Sequence, residues 1–439
     1  MMNETMIGVN DGSTLRKNGR YKEALAKYFE DEKWDENLWN VAGVINCYRN
    51  LNDLKTAKKV INDYIRKNGE EVLYDGKKEA IWLKREFINV YTNYYLEEDY
   101  LKYKNRLIEK NALNTLKAAK KIVEFDCGSY SLSRIKNCLF NNEVIDKFPV
   151  ELYELIEVID YNENKYRQDI LMSKKENERY INSFYVNYII TKMKLLSNFG
   201  DNEKALEVYN SINKKLVTLE LERTKSKILV NLCREEEAIK LLEEGLIKFG
   251  KKYYIYSEIA DIYNTIDDYE NALKYYYISC HNEKNLSFIY NIIKKIAKLT
   301  SKKDGVLARK HLNLHMLIAE LHKNDKWKLK KDALELDEEL AEYRDNDIDD
   351  IKELEKELRE LWKNEANMNK KVYSGEVSRI FEKGFGFIAY DDGDKPEEVF
   401  FKNKNAKFKL GDKVEFIVEK SYDRKKEEFS NIALDIKLI

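Results

Sequence analysis

Near the end of the chain, two short segments set aromatic rings beside lysines at the spacing of β-strands. They run KGFGFI from Lys383 and VFFK from Val399. Side chains alternate between the two faces of a strand, so one face collects three phenyl rings and two ammonium groups while Val399 and Phe401 turn towards the core. The residues predicted on the first face are Lys383, Phe385, Phe387, Phe400 and Lys402. Such rings stack on unpaired bases, at about 1–3 kcal/mol per base, and such lysines contact phosphates, so the segments predict binding of single-stranded RNA or DNA, with RNA favoured.

A structural role is the alternative for the same rings. They can pack against the helical part of the chain or against a partner protein. Phenyl rings that alternate with Gly384 and Gly386 are difficult to account for as core residues, because the glycines contribute no apolar side chains beside them. Nucleic-acid binding is therefore the favoured interpretation.

A β-barrel is predicted to position these side chains. After Lys371 the hydrophobic pattern changes from helical to alternating, and about five short strands joined by turns rich in Gly, Asp and Lys follow through Ile439. We expect a small five-stranded antiparallel barrel. Residues 371–439 carry 14 basic and 14 acidic side chains, so binding should depend on stacking and only modestly on salt. The basic residues cluster at Lys402, Lys404, Lys407 and Lys409, and again at Arg424, Lys425 and Lys426.

The segment from Val372 to Ile439 resembles the cold-shock domain, an OB-fold barrel that binds single-stranded RNA and DNA with little sequence preference. The resemblance rests on both aromatic segments and on further matches, which are Gly375, Val377, Ala433 and the LGDKVEF segment from Leu410. It implies that the residues contacting nucleic acid are Lys383, Phe385, Phe387 and Phe400.

Two positions depart from the pattern of that family. By alignment, Arg379 or Ile380 replaces the tryptophan of its first strand, and Lys402 replaces the histidine after its second aromatic segment. Arg379 is kept as a predicted contact because a guanidinium plane also stacks on a base. The loss of one ring predicts a lower affinity than in a typical member.

Upstream of the barrel, a helical pattern with a short polar turn repeats every 33 or 34 residues. The spacing is measured between alanines at equivalent positions, which are Ala24 and Ala57 near the N-terminus and Ala205, Ala238 and Ala272 further on. A small side chain at this position lets two antiparallel helices approach closely. The period and pattern resemble the tetratricopeptide repeat, without its usual closing proline. The resemblance implies stacked hairpins that form a solenoid with a surface for an unknown protein partner.

The sequence therefore predicts a multidomain, mainly α protein: an α-solenoid of tetratricopeptide-like hairpins followed by the small barrel. The expected regions are hairpins at 1–70, irregular helical repeats at 71–190, hairpins at 191–326, a charged connecting helix at 327–370 and the cold-shock-like barrel at 371–439. Within the connecting helix, Ile351, Leu354, Leu358 and Leu361 form a narrow apolar seam. A solvated helix is favoured over self-association, because so short a seam buries little surface.

Composition limits the other possibilities. The formal net charge is −1, from 78 basic and 79 acidic residues, so any attraction to nucleic acid must be local. The only prolines are Pro149 and Pro396, which favours long helices.

No apolar run approaches the roughly 20 residues of a membrane span and the N-terminus lacks a signal peptide, so a cytoplasmic protein without a membrane partner is expected. Five cysteines without a CxxC pair suit a reducing compartment and are expected to be mostly buried thiols.

An enzymatic function has weak support. Arg309 and His315 form an R-x5-H spacing that resembles the helical HEPN ribonucleases, in which such a pair would polarise a phosphate and move a proton from the 2′-hydroxyl. His311, His315 and His322 share one helical stripe, but no acidic residue occupies the HExxH position. We predict no catalytic residue, no metal and no cofactor. The functional alternatives are a peptide or protein receptor whose barrel is only an interaction module, and a ribonuclease in the helical part.

Overall fold

The computed structural model describes most of the chain in two compact units, which divide the sequence after Thr224. The described residues are 11–74, 77–97, 109–125, 132, 135, 142–159, 175–176, 179–180, 184–322, 331–343, 351–368, 370–393, 395–403, 407–423, 426 and 428–439. Among these residues, no helix combines the length and the apolar composition that a membrane span requires.

The first unit is built from helices. They are α1 Gly12–Lys17, α2 Tyr21–Phe29, α3 Leu38–Asn50, α4 Leu54–Asn68, α5 Lys78–Tyr91, α6 Glu109–Phe125, α7 Asn142–Lys147, α8 Pro149–Val158, α9 Phe184–Asn198 and α10 Asn202–Asn210. A two-stranded ribbon, β1 Lys175–Glu176 and β2 Arg179–Tyr180, lies inside the region predicted to be helical. Its sequence is polar and charged and offers no apolar stripe that a helix could bury.

The second unit continues with helices and ends in a barrel. Helix α11 Leu219–Asn231 crosses the boundary between the units, and the helices after it are α12 Glu235–Phe249, α13 Tyr253–Thr265, α14 Tyr269–His281, α15 Leu286–Thr300, α16 Gly305–His322, α17 Lys331–Glu339 and α18 Ile351–Asn367.

The five predicted hairpins close with the same turn. In each, one residue has a left-handed backbone, with φ between 55° and 84°, two positions before the second helix begins; these residues are Gly19, Asn52, Gly200, Cys233 and Asp267. The following N–H donates to the carbonyl five residues earlier at 2.9–3.0 Å, as in a Schellman turn. Five hairpins therefore repeat one backbone geometry.

The repeated alanines occupy equivalent buried positions in these hairpins. Each is the fourth residue of a second helix, and all five are completely buried. A larger side chain there would push the paired helices apart. The structure thus confirms the packing role predicted for Ala24, Ala57, Ala205, Ala238 and Ala272.

The cysteines follow the prediction only in part. Cys47 and Cys280 are buried thiols, and burial raises the pKa of Cys47 to about 11. Cys233 is exposed, because it is the left-handed residue at the tip of a hairpin turn. Cys127 and Cys138 lie outside the described residues.

The apolar seam of α18 is not solvated. Leu354, Leu358 and Trp362 are buried in one cluster with residues of α14, α15 and α16. The prediction of a solvated connecting helix over 327–370 is therefore wrong for this face, and the same burial removes the seam from self-association. The indole of Trp362, one residue beyond the predicted seam, provides the large buried surface that a narrow leucine stripe lacks.

The C-terminal barrel closes in the strand order β3-β4-β5-β7-β6. Its strands are β3 Val372–Phe381, β4 Phe385–Asp391, β5 Pro396–Lys402, β6 Lys413–Asp423 and β7 Glu428–Leu438. Neighbouring strands are antiparallel except β5 and β7, which run parallel where Phe400 pairs with Ile432. Five strands cannot alternate in direction all the way around a closed ring. The prediction of a fully antiparallel barrel is therefore wrong at this pair.

The packing of the barrel core explains why Gly386 lies between Phe385 and Phe387. The interior is filled by Val377, Ile388, Tyr390, Val399, Phe401, Phe408, Val414, Phe416 and Ala433. A Cβ on Gly386 would lie 2.4 Å from the carbonyl oxygen of Arg379 and 2.6 Å from the ring of Phe401. Glycine at this position lets β3 and the Phe401 ring close behind the outer face of the sheet.

Candidate nucleic-acid interface

Two adjacent strands of the barrel, β4 and β5, carry the predicted aromatic residues on one outer face. Phe387 of β4 pairs with Phe400 of β5, and Phe385 pairs with Lys402. The three phenylalanines are half-buried and Lys402 is exposed. The alternation of faces along β4 and β5 is as predicted, because Ile388, Val399 and Phe401 are buried on the opposite side.

A fourth ring, which the sequence analysis missed, belongs to the same face. Phe381 of β3 pairs with Phe385, and its side chain is 42% exposed. The two rings are stacked, with centroids 4.7 Å apart and planes within 19°. We call the set of Phe381, Phe385, Phe387 and Phe400 the ring face.

The position of Phe381 follows from a bulge in β3. Val377 pairs with the inward-facing Ile388, but the register then shifts so that Arg379 pairs with the outward-facing Phe387. One extra residue inverts the alternation, so Arg379 and Phe381 face outward although Val377 faces inward. A strict two-residue period starting at Val377 places both on the core face, and no residue type in the strand signals the bulge.

The ring face is a continuous aromatic surface. The Phe385 and Phe400 centroids lie 5.7 Å apart, and the Phe387 ring meets those of Phe400 and Phe381 edge to face at 6.0 and 6.2 Å. The aromatic partners of these rings in the described part of the chain all lie in the barrel. Rings at this spacing offer adjacent apolar surfaces to flat molecules.

Arg379 lies over the ring face and is held there. Its guanidinium carbon is 4.6 Å from the centroid of the Phe387 ring, and its Nη2 forms an ion pair with Glu398 of β5. Ser378 Oγ also donates to Glu398 at 2.9 Å. The arginine thus covers one ring and has its charge partly compensated, so its availability to a ligand depends on Glu398.

The lysines of the interface lie at the edge of the ring face. Lys383 is exposed in the turn between β3 and β4, where Gly384 adopts a φ of +77°. Within the described residues, neither Lys383 nor Lys402 has a carboxylate within ion-pair distance. Lys404, Arg424 and Lys425 lie outside the described residues, whereas Lys407, Lys409 and Lys426 are exposed.

The barrel contacts the helices of its own unit through β6 and β7. Lys248 of α12 places its ammonium 5.8 and 5.6 Å from the ring centroids of Tyr422 and Phe429. Lys251 and Lys370 form ion pairs with Glu419 of β6, at 2.8 and 3.3 Å. Partial burial opposes the ionisation of Glu419, but the hydrogen bond and charge of Lys251, followed by those of Lys370, lower its pKa. This contact surface uses strands that carry none of the four rings.

The HEPN-like pair does not form a site. Arg309 is buried and its Nη1 pairs with Asp337 of α17 at 2.7 Å. His315, also buried, donates from Nδ1 to the carbonyl of Tyr290 at 3.0 Å and stacks on the Tyr290 ring. Both side chains are thus engaged with neighbouring helices rather than presented to a phosphate.

His311 likewise joins two helices. Trp362 Nε1 donates to His311 Nε2 at 3.0 Å, so the neutral ring carries its proton on Nδ1, which donates to the Leu307 carbonyl at 2.9 Å. Burial lowers the pKa of both His311 and His315 to about 4. The histidine stripe of α16 is therefore part of the packed core at these two positions; nothing is described for the His322 side chain.

Comparisons with known proteins add little beyond this geometry. No protein-family model matches the chain, and no curated protein matches it. Among solved structures, the crystal structure of the APC/C hetero-tetramer Cut9-Hcn1 is similar over 80% of this chain and 82% of that chain, at 14% identity and a TM-score of 0.27.

Acid should destabilise the helical core around α16. The pKa of His311 and of His315 is about 4 in the folded chain, against the ordinary 6.5, so the unfolded chain binds more protons between those values. The stabilisation that comes from burying these two neutral histidines is complete above pH 6.5 and is lost as the pH falls towards 4. Between about pH 7 and pH 5 we expect a loss on the order of 2 kcal/mol per histidine, measured as the urea midpoint of the helical circular dichroism signal. The double variant His311→Gln/His315→Gln should lose less stability over this pH range. An equal loss would show that these two histidines do not cause the pH dependence.

Proposed function

We propose that the barrel binds single-stranded nucleic acid, with RNA favoured, through the ring face. The observation that carries this proposal is the cluster of four phenyl rings on the outer side of three strands, bordered by Lys383 and Lys402. Successive unpaired bases stack on such rings, and the lysines neutralise phosphates at the edge. A duplex hides the faces of its bases, which is why a single strand is the expected ligand.

Exposure of the rings supports a ligand more than a structural role. Each half-buried ring contacts its neighbours within the barrel, and none is needed to fill the core, which closes behind them with Phe401. The barrel meets the helices of its unit through other strands. An aromatic surface left at the outside of a small barrel is costly in water unless it has a partner.

A second surface, on the helices, supports a protein partner. A cavity of about 960 Å³ opens between α14, α15 and α17, with an apolar floor that includes Leu273, Leu299 and Leu336. Its rim carries six lysines and six acidic residues, and two of the lysines, Lys294 and Lys295, form ion pairs with Asp332 and Asp261. An apolar floor with a charged rim is the usual anatomy of a protein-binding site. We propose that this groove receives a protein segment whose acidic residues contact Lys298 and Lys302 at the end of α15, while the barrel holds the nucleic acid.

Loss of rings should weaken binding of a short oligouridine. We expect Phe385→Ala/Phe387→Ala to lose about 1–3 kcal/mol for each base that loses its ring, which is tenfold or more in Kd by fluorescence anisotropy. Because these rings are half-buried, Phe381→Ala is the gentler variant and should weaken binding as well. Phe29→Ala, which removes an equally exposed ring from the first unit, is the control. Equal affinity of wild type and both ring-face variants overturns the proposal.

Removal of Glu398 should strengthen the same binding. In Glu398→Gln the negative charge beside the rings is gone and Arg379 is released from its ion pair, so it can contact a phosphate. The slope of log Kd against log salt should then increase by about 0.7, the value for one added contact on a single strand. Glu397→Gln removes the same charge from the neighbouring position. If the two variants bind alike, Glu398 does not restrain Arg379.

Charge reversal in the groove should release a protein partner without affecting oligonucleotide binding. We expect Lys298→Glu/Lys302→Glu to lose a protein that the wild-type chain retains from nuclease-treated extract, since an acidic segment would be repelled. The control is Lys227→Glu/Lys240→Glu, which changes two exposed lysines of α11 and α12. A partner retained equally by both variants excludes the groove.

A further inference from the structure

A second basic surface of the second unit lies where the end of α14 meets α18. A cavity of about 470 Å³ opens there, lined by His281, Lys352, Lys356, Arg359, Lys363 and the two acidic residues Glu355 and Glu360. The four basic residues of α18 are spaced by four, three and four positions, so they share one face of the helix. The buried face with Leu354 and Trp362 points elsewhere. We call this surface the α18 patch.

The positive charge of the α18 patch is only partly compensated. Glu355 pairs with Arg359 at 2.6 Å, and Arg359 also donates to the carbonyls of Glu283 and Lys284, which fixes its guanidinium after α14. Lys356 and Lys363 are exposed, and no carboxylate of the described residues lies within ion-pair distance of either ammonium. Two exposed cations beside a fixed one suit an anion with several phosphate groups.

The pKa of His281 reflects the positive charge around the α18 patch. Burial lowers its pKa, and the charges of Lys370, Lys363, Arg359 and Lys251 lower it further. The four charges that lower the pKa of His281 all belong to cations, although Glu355 and Glu360 line the same cavity. The local potential is therefore positive, which attracts an anionic ligand.

The α18 patch extends to the barrel. Lys251 and Lys370 both contribute to the field at His281 and both pair with Glu419 of β6. Strand β3 begins at Val372, two residues after Lys370, and runs to Phe381 of the ring face. At about 3.3 Å per residue, the strand links the two surfaces over roughly 30 Å, a distance within the reach of the 4–16 nucleotides that OB-fold proteins bind.

A pair of aromatic rings, one exposed and one half-buried, begins four residues beyond Lys284, whose carbonyl accepts from Arg359. Phe288, near the start of α15, is 59% exposed, and its ring is parallel to that of Tyr253 within 3° at a centroid distance of 6.1 Å. Tyr253 follows Lys251 by two residues, and its carbonyl accepts a hydrogen bond from Ser279 of α14. Aromatic surface beside phosphate-binding cations favours a nucleic-acid strand over an inorganic anion.

We propose that the α18 patch binds the phosphate backbone of the same single strand whose bases stack on the ring face, which makes the helical part of the second unit an extension of the nucleic-acid site. The inference rests on the proposed function of the barrel. A short oligonucleotide occupies the ring face alone, and a longer one reaches both surfaces. Length of the strand, rather than base sequence, then decides how much of the protein takes part.

The test compares oligouridines of about 4 and about 16 nucleotides, the limits for a single OB-fold, bound to the full chain over a range of salt concentrations. For the long strand, Lys356→Gln/Lys363→Gln should reduce the slope of log Kd against log salt by about 1.4, because two phosphate contacts are lost at about 0.7 each. The slope for the short strand should not change. Lys227→Gln/Lys240→Gln, with the same change in net charge, is the control and should leave both slopes unchanged.

The outcomes separate this inference from the function of the barrel. An unchanged slope for the long strand in Lys356→Gln/Lys363→Gln, together with a loss of short-strand binding in Phe385→Ala/Phe387→Ala, overturns the inference and leaves the ring face in place. A reduced slope for the long strand with no effect of the ring variants overturns the ring face, and with it the proposal that one strand spans both surfaces. If the wild-type chain binds neither oligouridine, both proposals are wrong.

Discussion

One extra residue in β3 is the constraint on which the ring face depends. The bulge between Val377 and Arg379 turns the second half of the strand over, so that residues at odd positions change from the core to the outside. Without it, Arg379 and Phe381 would be directed into an interior that Ile388 and Phe401 already fill. The bulge therefore supplies both the fourth ring and the guanidinium above it, and Gly386 opposite provides the room that this backbone needs.

Local periodicity predicted the features that depend on near neighbours. The alternation along β4 and β5 identified which phenylalanines face outward, and the repeat of about 34 residues identified the alanines at the helix contacts, because both depend on one short element. The sequence patterns did not predict the features that depend on tertiary context. The burial of Trp362 depends on α14 to α16, the bulge depends on pairing with β4, and the parallel contact of β5 with β7 depends on closure of the ring. Left-handed backbone at Cys233 is also invisible in the sequence, since a cysteine seldom occupies that conformation.

The cations of the candidate surfaces fall into two groups, those that form ion pairs and those without a carboxylate partner among the described residues. Arg379 is held by Glu398, and Lys251 and Lys370 are held by Glu419, so these cations stabilise the barrel's own arrangement. Lys383, Lys402, Lys356 and Lys363 have no such carboxylate partner among the described residues. A balanced total charge thus conceals an uneven distribution, in which a few cations retain their full field.

The parallel pairing of Phe400 with Ile432 is one of two long-range contacts that close the barrel, the other being that of β3 with β6. Each helical hairpin closes through a hydrogen bond between residues five apart, whereas this pairing joins positions separated by more than thirty residues of barrel sequence. The entropic penalty of loop closure grows with the length of the loop. Phe400 belongs both to the ring face and to this long-range contact, so the complete aromatic surface requires closure of the barrel, whereas each helical hairpin closes through local contacts.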